Sequence, residues 1–309
     1  MERPYILHMF TPGRQMSPFD INMAADAGYQ MVVPYSEVGL DAIAGLTQDT
    51  IFSRGPKGVA RTGIFIGGRD ALLAADMLER AKSAMFKPFV VSLMADPSGA
   101  YTTAAAMVAC VEAALKRSVG QGLEGQRVVI LGGTGPVGRI AGVIAAQAGA
   151  EVFLSSRNGI DAAEAAAADT GKRFGVTIHG LSGGDPAAVR ASIGQADILL
   201  ACAAASVQVV SAEALGAAQR LKVAADVNAV PPAGIAGVDA MDKRKPLPGT
   251  AAVGIGALAV GNVKYQTQHR LLVRMQQAEK AVVLSFAEAF AVAREVLAEE
   301  AAKDAAKPA

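Results

Sequence analysis

The sequence predicts an α/β protein of two domains, each built on a parallel sheet with helices packed against it. The chain has 309 residues, about twice the length of an average domain. Short β-branched runs alternate with helical patterns, which is typical of parallel sheets joined by right-handed crossovers. Hydrophobic residues make up 52% of the chain. Ala, Gly and Val carry much of this apolar character, as in tightly packed helix-on-sheet layers.

The second half of the chain predicts a doubly wound parallel sheet. Its first strand, RVVIL at Arg127–Leu131, is apolar without alternation, which indicates burial on both faces. A glycine-rich turn and a helix of small residues follow this strand. Further strands are expected at 151–155, 176–179, 197–201 and 222–226, and helices at 140–147, 161–174 and 186–193.

The first half shows the same alternation less regularly. Strands are expected at 5–9, 31–34, 63–67 and 88–94, and helices at 19–27, 71–84 and 102–117. The glycine-rich segment 119–125 marks the predicted domain boundary. We therefore expect a first domain at 1–122 and a second at 123–261. Helices at 262–309, with a long one at 277–303, are expected to pack back on the first domain.

Charge, cysteine and histidine usage exclude several classes of protein. The formal net charge is +1 and no long run of Lys or Arg occurs, so a nucleic-acid partner is not expected. Cys110 and Cys202 are far apart and lack CxxC spacing, which excludes a disulfide framework and a thiolate zinc site. His8, His179 and His269 lack the spacing of metal ligands, so no metal is expected.

Hydropathy gives no sign of a membrane segment. No uncharged apolar stretch reaches the roughly 20 residues that a spanning helix needs. The N-terminus, MERPYILHMF, has too short an apolar run for a secretory signal. We therefore expect no membrane partner and a cytoplasmic location.

The strongest motif is a G-x-G-x-x-G loop that follows the strand at 127–131 and opens the next helix. This context, inside a βαβ unit, predicts a dinucleotide-binding domain of the Rossmann type. Gly133 allows the tight turn, Gly135 lets the backbone approach a pyrophosphate, and Gly138 lets helix and strand pack closely. The alternative is a structural turn that binds nothing. The predicted cofactor-binding residues of the loop are Gly133, Thr134, Gly135, Pro136, Val137 and Gly138.

The end of the next strand indicates which dinucleotide binds. NAD-binding domains usually carry an acidic residue there, which accepts a hydrogen bond from the ribose 2′-hydroxyl. This chain has Ser155, Ser156, Arg157 and Asn158 instead. A guanidinium binds phosphate through paired, charge-assisted hydrogen bonds, so Ser156, Arg157 and Asn158 predict NADP, with NAD still possible. The alternative is that Arg157 is a solvated surface residue.

Seven stretches spread over nearly the whole chain are far more specific than the glycine loop. They are HMFTPGRQMSPFDINMAADAG (8–28), LTQDTIFSRGP (46–56), RTGIFIGG (61–68), ADPSGAYTTAAAMVA (95–109), GGTGPVG (132–138), ADVNAVPPAGIAG (225–237) and VGIGALAVGNVKYQTQHR (253–270). In these stretches the chain resembles the bacterial NAD(P)-dependent methylene-tetrahydromethanopterin dehydrogenases of methylotrophs.

The resemblance implies a reaction and an architecture. Such enzymes oxidise the one-carbon bridge of methylene-tetrahydromethanopterin to the methenyl form and pass hydride to a nicotinamide. They have an N-terminal pterin domain and a Rossmann domain, with the active site in the cleft, and the resemblance favours a homo-oligomer. The Y-x-x-x-K pattern of the similar methylene-tetrahydrofolate dehydrogenase/cyclohydrolases does not occur in this sequence, so cyclohydrolase activity is not expected.

The chemistry itself asks little of acids and bases. Hydride leaves a carbon flanked by two nitrogens, and the product cation is delocalised over them, so no proton moves in that step. Catalysis then depends on placing the nicotinamide against the bridge carbon, with some electrostatic stabilisation of the cation.

Three further residues are candidates on the cofactor side. Asn228 follows the fifth strand and is a candidate for the nicotinamide carboxamide, Ala203 leaves room for the cofactor, and the backbone of Gly256 lies at another strand end.

Candidates on the pterin side lie in the first half and in the C-terminal part. Asp96, Thr102 and Thr103 occur where a strand gives way to a helix, although such residues are often only N-caps. Ser17 and Asp20 in the SPFD segment raise the same question. The resemblance places Lys264 near cofactor and pterin, in a positioning role. The proposed catalytic residues are Lys264, Asp96 and Thr102, and the proposed substrate-binding residues are Ser17, Asp20, Arg54, Thr103 and Lys264.

Arg54 enters this set because it lies in a short basic cluster with Lys57 and Arg61. The tetrahydromethanopterin tail carries phosphate and carboxylates, which such a loop would attract, whereas a solvated turn is the alternative.

Other functions also stay open from the sequence. They are the same reaction on tetrahydrofolate, a reductase of the shikimate dehydrogenase type, and a redox sensor that binds NADP without turnover.

Overall fold

The structure, a computed structural model, describes residues 3–306. The strands in chain order are β1 Ile6–Phe10, β2 Met31–Tyr35, β3 Thr62–Ile66, β4 Ser92–Ala95, β5 Arg127–Leu131, β6 Glu151–Ser156, β7 His179–Ser182, β8 Ile198–Ala201, β9 Val223–Asp226, β10 Lys243–Pro246, β11 Val253–Ile255 and β12 Val283–Leu284. The helices are α1 Pro18–Asp26, α2 Ile43–Phe52, α3 Pro56–Val59, α4 Ala71–Ser83, α5 Ala100–Val119, α6 Pro136–Gln147, α7 Ile160–Phe174, α8 Pro186–Gly194, α9 Ala212–Leu215, α10 Ala257–Gln277 and α11 Phe286–Ala305.

The chain divides into two compact units. The first unit holds the chain up to Thr102 together with Tyr265–Val292, and the second holds Thr103–Lys264 and the chain from Ala293 onward. The divisions fall inside α5, α10 and α11, whereas the sequence placed the boundary in the glycine-rich segment 119–125. The assignment of a substrate and a cofactor to separate domains stays a prediction.

The first unit is built on a parallel five-stranded sheet in the order β12-β4-β3-β1-β2. The central strand β3, TGIFI, is buried along its whole length, as an apolar strand with covered faces should be. The sequence predicted a long helix at 277–303, and the start of this prediction is wrong. The helix α10 ends at Gln277, the short strand β12 at Val283–Leu284 follows and pairs with β4, and the long helix α11 begins only at Phe286.

The second unit is a doubly wound sheet in the order β10-β11-β9-β8-β5-β6-β7. All neighbours are parallel except β10, which runs antiparallel at the edge. The chain order reverses between β5 and β8. In such sheets, ligands bind beyond the carboxyl ends of the strands at this reversal. The predicted sheet is therefore confirmed, although β7 begins three residues later than expected and the edge strand β10 was not predicted.

The helix α5 is largely buried. The segment Pro97–Val119, which contains it, is long and apolar enough to cross a membrane by length and composition. However, 83% of its most apolar window is buried inside the protein. Burial of small side chains such as Ala104, Ala105 and Ala106 instead gives this helix the role of a core helix.

Candidate functional site

The turn after β5 is built from glycines that the surrounding backbone requires. Gly132 has φ +70°, and a Cβ there would lie 2.6 Å from the backbone nitrogen of Ala203. A Cβ on Gly133 would lie 2.8 Å from the Cα of Leu154, and one on Gly138 would lie 2.7 Å from the Cα of Gly133. The left-handed residue of the turn is thus Gly132, whereas the sequence assigned the turn to Gly133. Gly133 instead allows the neighbouring strand to approach.

Gly135 differs from these glycines because the space around it is open. A Cβ there would meet only the carbonyl oxygen of Gly132, at 3.4 Å. Gly135 precedes α6, and Pro136 occupies the first turn without a side chain capping the helix. The free N–H groups of a helix N-terminus, together with its dipole, attract phosphate. The surrounding protein thus requires glycine at Gly132, Gly133 and Gly138, whereas the space around Gly135 is open. The loop therefore fits a pyrophosphate.

A second feature lies at the end of β6. Ser156 is buried, and its Oγ accepts a hydrogen bond from the backbone N–H of Asn158 at 3.1 Å. Arg157 and Asn158 are exposed, and within residues 3–306 the guanidinium of Arg157 has no hydrogen bond or ion pair. The loop after β7 packs behind this turn, because a Cβ on Gly184 would lie 2.5 Å from the carbonyl oxygen of Arg157. This packing therefore fixes the backbone of Arg157, whereas its side chain is exposed.

The ends of β8 and β9 complete this edge of the second unit. Asp226 is buried, and its carboxylate accepts backbone hydrogen bonds from Asn228 at 2.8 Å and Ile235 at 3.1 Å. Burial raises the pKa of Asp226, although these hydrogen bonds oppose the shift. Burial, together with the charge of Asp226, raises the pKa of Cys202 to about 12. Ala203 is half-buried beside Gly132.

Two predicted cofactor residues have internal roles in the structure. The side chain of Asn228 accepts from the backbone of Ser206 and Val230 and donates to the carbonyl of Pro232 at 3.0 Å. A Cβ on Gly256 would overlap the carbonyl of Asp239, and its N–H donates to the carbonyl of Asp242 at 2.9 Å. These contacts account for both residues without a ligand, so their contact with a nicotinamide stays a prediction.

At the carboxyl edge of the first unit's sheet, Asp96 caps the helix that follows it. One carboxylate oxygen accepts from the backbone N–H groups of Tyr101 at 2.9 Å and Thr102 at 3.1 Å. The other accepts from the hydroxyl of Thr102 at 2.6 Å. Asp96 and Thr102 are fully buried. Between them, Ser98 has a left-handed backbone with φ 50°, and its hydroxyl donates to the carbonyl of Gly68 at 2.7 Å. Such strain is typical of functional sites.

The SPFD segment lies at this same carboxyl edge, since α1 begins after the loop that leaves β1. Ser17 stands in the N-cap position without a capping hydrogen bond, and Asp20 is buried in the first turn. Its carboxylate accepts from Nε2 of Gln268 at 2.7 Å. Gln268 was not predicted, although its position one helical turn after Lys264 on α10 is a signal that the sequence contains.

The prediction for Arg54 is not supported by its place in the fold. Its guanidinium donates to the carbonyl of Pro4 at 3.1 Å and to the hydroxyl of Thr62 at 3.0 Å. Both lie at the amino ends of strands, at the edge opposite Asp96. Burial and the nearby charges of Arg3 and Arg61 lower the pKa of Arg54. Arg54 ties the start of β1 to β3, and its contact with a substrate stays a prediction.

Thr103 is the residue at which α5 enters the second unit, and Lys264 is the residue at which α10 leaves it. Both side chains are half-buried. Within the part of the chain that the structure describes, no group of three His, Cys, Asp or Glu residues is arranged to hold a metal ion.

Comparison with known proteins identifies relatives of this chain. The family model for the N-terminal part of methylene-tetrahydromethanopterin dehydrogenase matches residues 18–98. The chain is 50% identical, over 94% of its own length and 98% of the relative, to the NAD(P)-dependent methylenetetrahydromethanopterin dehydrogenase of Methylorubrum extorquens. This chain belongs to that family. It is also 33% identical to the bifunctional protein MdtA of the same organism, over 90% of this chain and 94% of the relative.

Solved structures share the fold of this family member at low sequence identity. Ligand-free 5-ketofructose reductase of Gluconobacter sp. strain CHM43 aligns with a TM-score of 0.52 and 17% identity, over 95% of this chain and 99% of that chain. Quinate dehydrogenase of Corynebacterium glutamicum, in complex with NAD, aligns with a TM-score of 0.51 and 11% identity, over 94% and 98%. Both likenesses concern the fold alone.

Proposed function

We propose that this protein oxidises the one-carbon bridge of 5,10-methylene-tetrahydromethanopterin to the methenyl form and passes hydride to NADP+, with NAD+ as a weaker alternative. The reaction belongs to one-carbon metabolism, in the oxidation of formaldehyde. The observation that carries the proposal is the 50% identity over 94% of the chain to a dehydrogenase of this name. The open glycine loop at the reversal of the second sheet supplies the matching cofactor site.

The cofactor side of the mechanism is a matter of binding and orientation. The loop at 133–138 and the N-terminus of α6 hold the pyrophosphate. Ser156, Arg157 and Asn158 hold the 2′-phosphate, because Arg157 offers an unused guanidinium beside a fixed turn. Ala203, Asn228 and Gly256 border the nicotinamide end. The dinucleotide, when bound, supplies the hydride acceptor.

On the pterin side, residues at the carboxyl edge of the first sheet hold the substrate. Ser17 and Asp20 at the start of α1, and Asp96, Thr102 and Thr103 at the start of α5, offer hydroxyls and carboxylates to the ring nitrogens. A buried carboxylate near the reacting carbon also stabilises the delocalised cation as it forms. Lys264 positions the substrate. No proton leaves the substrate in the hydride step, so none of these groups needs to act as a base.

We further propose that the protein is a cytoplasmic homo-oligomer without nucleic-acid or membrane partners. An exposed aromatic patch supports self-association. Phe52 and Phe86 are 59% and 51% exposed, and with Phe89 their ring centroids lie 5.7 to 6.0 Å apart. Exposed aromatic clusters are typical of interfaces. Light scattering should give a multiple of 31.5 kDa, and Phe86→Ser should lower it.

Initial-rate assays at 340 nm test the reaction. Purified protein receives NADP+ or NAD+, with methylene-tetrahydromethanopterin in one series and methylene-tetrahydrofolate in the other. We expect turnover with the methanopterin substrate and a preference for NADP+. Turnover with the folate alone would overturn the substrate. Binding of NADP+ without turnover on either carrier would indicate a sensor.

A further inference from the structure

Arg139 lies in the first turn of α6, directly after the glycine loop, and is not among the residues that the motif predicts to bind the cofactor. Its guanidinium makes three hydrogen bonds. Nε donates to the carbonyl of Thr134 at 3.0 Å, and one terminal nitrogen donates to the carbonyl of Ala166 at 3.0 Å and to the hydroxyl of Thr170 at 2.8 Å. Arg139 thereby joins the phosphate-binding loop to α7, the helix that follows Arg157.

The charge of Arg139 is not balanced inside the protein. Its three acceptors are neutral, and among residues 3–306 no carboxylate lies within ion-pair distance of it. The side chain is half-buried. A cation near a helix N-terminus opposes the helix dipole and costs about 0.3–1 kcal/mol. An unpaired, partly buried cation in this place is useful to the protein when an anion binds beside it.

The hydrogen bonds of Arg139 also fix the peptide group that the anion would meet. The carbonyl of Thr134 is held by Arg139, and the N–H of Gly135 on the other side of the same peptide donates to the carbonyl of Gly132 at 3.2 Å. The peptide between Thr134 and Gly135 is thus fixed from both ends. Preorganised backbone loses less entropy when a ligand binds.

We propose that Arg139 is a positioning residue for the dinucleotide pyrophosphate, which it serves by fixing the Thr134–Gly135 peptide and by supplying a compensating positive charge. This inference rests on the proposed function, since it requires that the loop binds NADP+ or NAD+. It assigns Arg139 to the pyrophosphate and Arg157 to the 2′-phosphate, so the two arginines should respond to different parts of the ligand.

Three ligands separate these roles in binding titrations. NADP+ carries both phosphate groups, NAD+ carries the pyrophosphate alone, and adenosine 2′-monophosphate carries the 2′-phosphate alone. Arg139→Met should raise the Kd of NADP+ and NAD+ by the same factor, tenfold or more, and change that of adenosine 2′-monophosphate less than twofold. Arg157→Met should weaken NADP+ and adenosine 2′-monophosphate and spare NAD+. Arg139→Lys, which keeps the charge, should recover part of the lost affinity.

Controls keep the outcome interpretable. Arg190→Met removes an exposed arginine that pairs with Glu213 in the same unit and should change no Kd. Thr170→Val removes one anchor of Arg139 and should give a smaller loss with the same pattern, which serves if Arg139→Met does not fold. Unchanged dinucleotide binding in Arg139→Met, or an equal loss for all three ligands, would overturn the inference. Wild-type protein that binds none of the three would overturn the proposed function itself.

Discussion

The strand-to-helix junctions β5–α6 and β4–α5 differ in how the N-terminus of the helix is satisfied. Where β5 passes into α6, the chain uses glycines and proline and leaves the helix N-terminus without a side-chain cap. Where β4 passes into α5, Asp96 fills the N-terminus by accepting from the backbone of Tyr101 and Thr102. A helix N-terminus has unsatisfied donors that must find acceptors. The junction before α5 supplies its own carboxylate, and the junction before α6 is the one that we propose binds the phosphate of a ligand.

This difference decides which junction can take a phosphate. An anion arriving at α5 would meet the buried carboxylate of Asp96, whereas an anion arriving at α6 meets open donors and the unbalanced charge of Arg139. Sequence similarity between the two halves would not reveal this, because both are strand ends followed by helices. The contrast also explains why the dinucleotide is assigned to the second unit.

The first prediction, with the largest expected effect, gives the N-terminus of α6 the same kind of carboxylate cap that α5 has. Gly135→Asp places a carboxylate at the N-cap, and the backbone there, with φ −74° and ψ 167°, accepts any residue. We expect the Kd of both NADP+ and NAD+ to rise at least a hundredfold, because the new carboxylate takes the donors and repels the pyrophosphate. At an N-cap, Asp is more favourable than Gly by roughly a few tenths of a kcal/mol, so the Tm should not fall.

Gly135→Ser serves as the matched control, since it adds a neutral cap of similar size. It should weaken binding far less than the aspartate. Equal losses in the two variants would indicate that crowding rather than charge excludes the ligand. Retained binding in Gly135→Asp, measured by titration calorimetry, would contradict the assignment of the pyrophosphate to this loop.

The second prediction concerns the junction between β4 and α5, where Asp96 caps the helix. Asp96→Ala leaves the N–H groups of Tyr101 and Thr102 without their acceptor and should cost about 1–3 kcal/mol in the free energy of unfolding. Asp96→Asn keeps an acceptor oxygen and should cost clearly less. If Asp96 also meets the substrate, as proposed, Asp96→Asn should still lose at least tenfold in kcat. Urea unfolding and initial rates, measured on both variants, separate the two roles. A stable Asp96→Asn enzyme with full activity would leave Asp96 as a cap alone.

The third prediction tests how firmly the backbone holds the turn at Ser156–Asn158, which we propose binds the 2′-phosphate. A Cβ at Gly184 would lie 2.5 Å from the carbonyl oxygen of Arg157, so Gly184→Ala must displace the turn. We expect the KM for NADP+ to rise about three- to tenfold and that for NAD+ to stay within twofold. Gly194→Ala, whose nearest neighbour would be the carbonyl of Ala217 at 3.4 Å, is the control. Equal changes for both cofactors would separate this turn from cofactor choice.

Local sequence was sufficient for the parts of the site that are continuous in the chain. The glycine loop and the Ser156–Asn158 turn each depend on neighbouring residues, and their context in a βαβ unit could be predicted. Gly256 and Asn228 could not be interpreted, because their partners, Asp239 and Ser206, are known only once the loops fold. The role of Arg54 could not be decided from the sequence for a related reason. A basic cluster in the sequence does not indicate which edge of a sheet it will occupy.

The smallest expected effect concerns Cys202, which lies beside Gly132 at the junction between β5 and α6 and is not part of the proposed chemistry. Burial and the charge of Asp226 raise its pKa to about 12, and burial raises that of Cys110 to about 12 as well. The thiolate is the reactive form, so at pH 8 both thiols should react with iodoacetamide on the order of a thousand times more slowly than free cysteine. Because the pKa values are raised, the rates should increase about tenfold per pH unit while the protein stays folded. Mass spectrometry of each cysteine gives the rates separately, with the urea-unfolded protein as the control. Fast labelling of Cys202 alone at pH 8 would show that water reaches the edge of β8 beside Gly132, and the junction would then be more open than the structure shows.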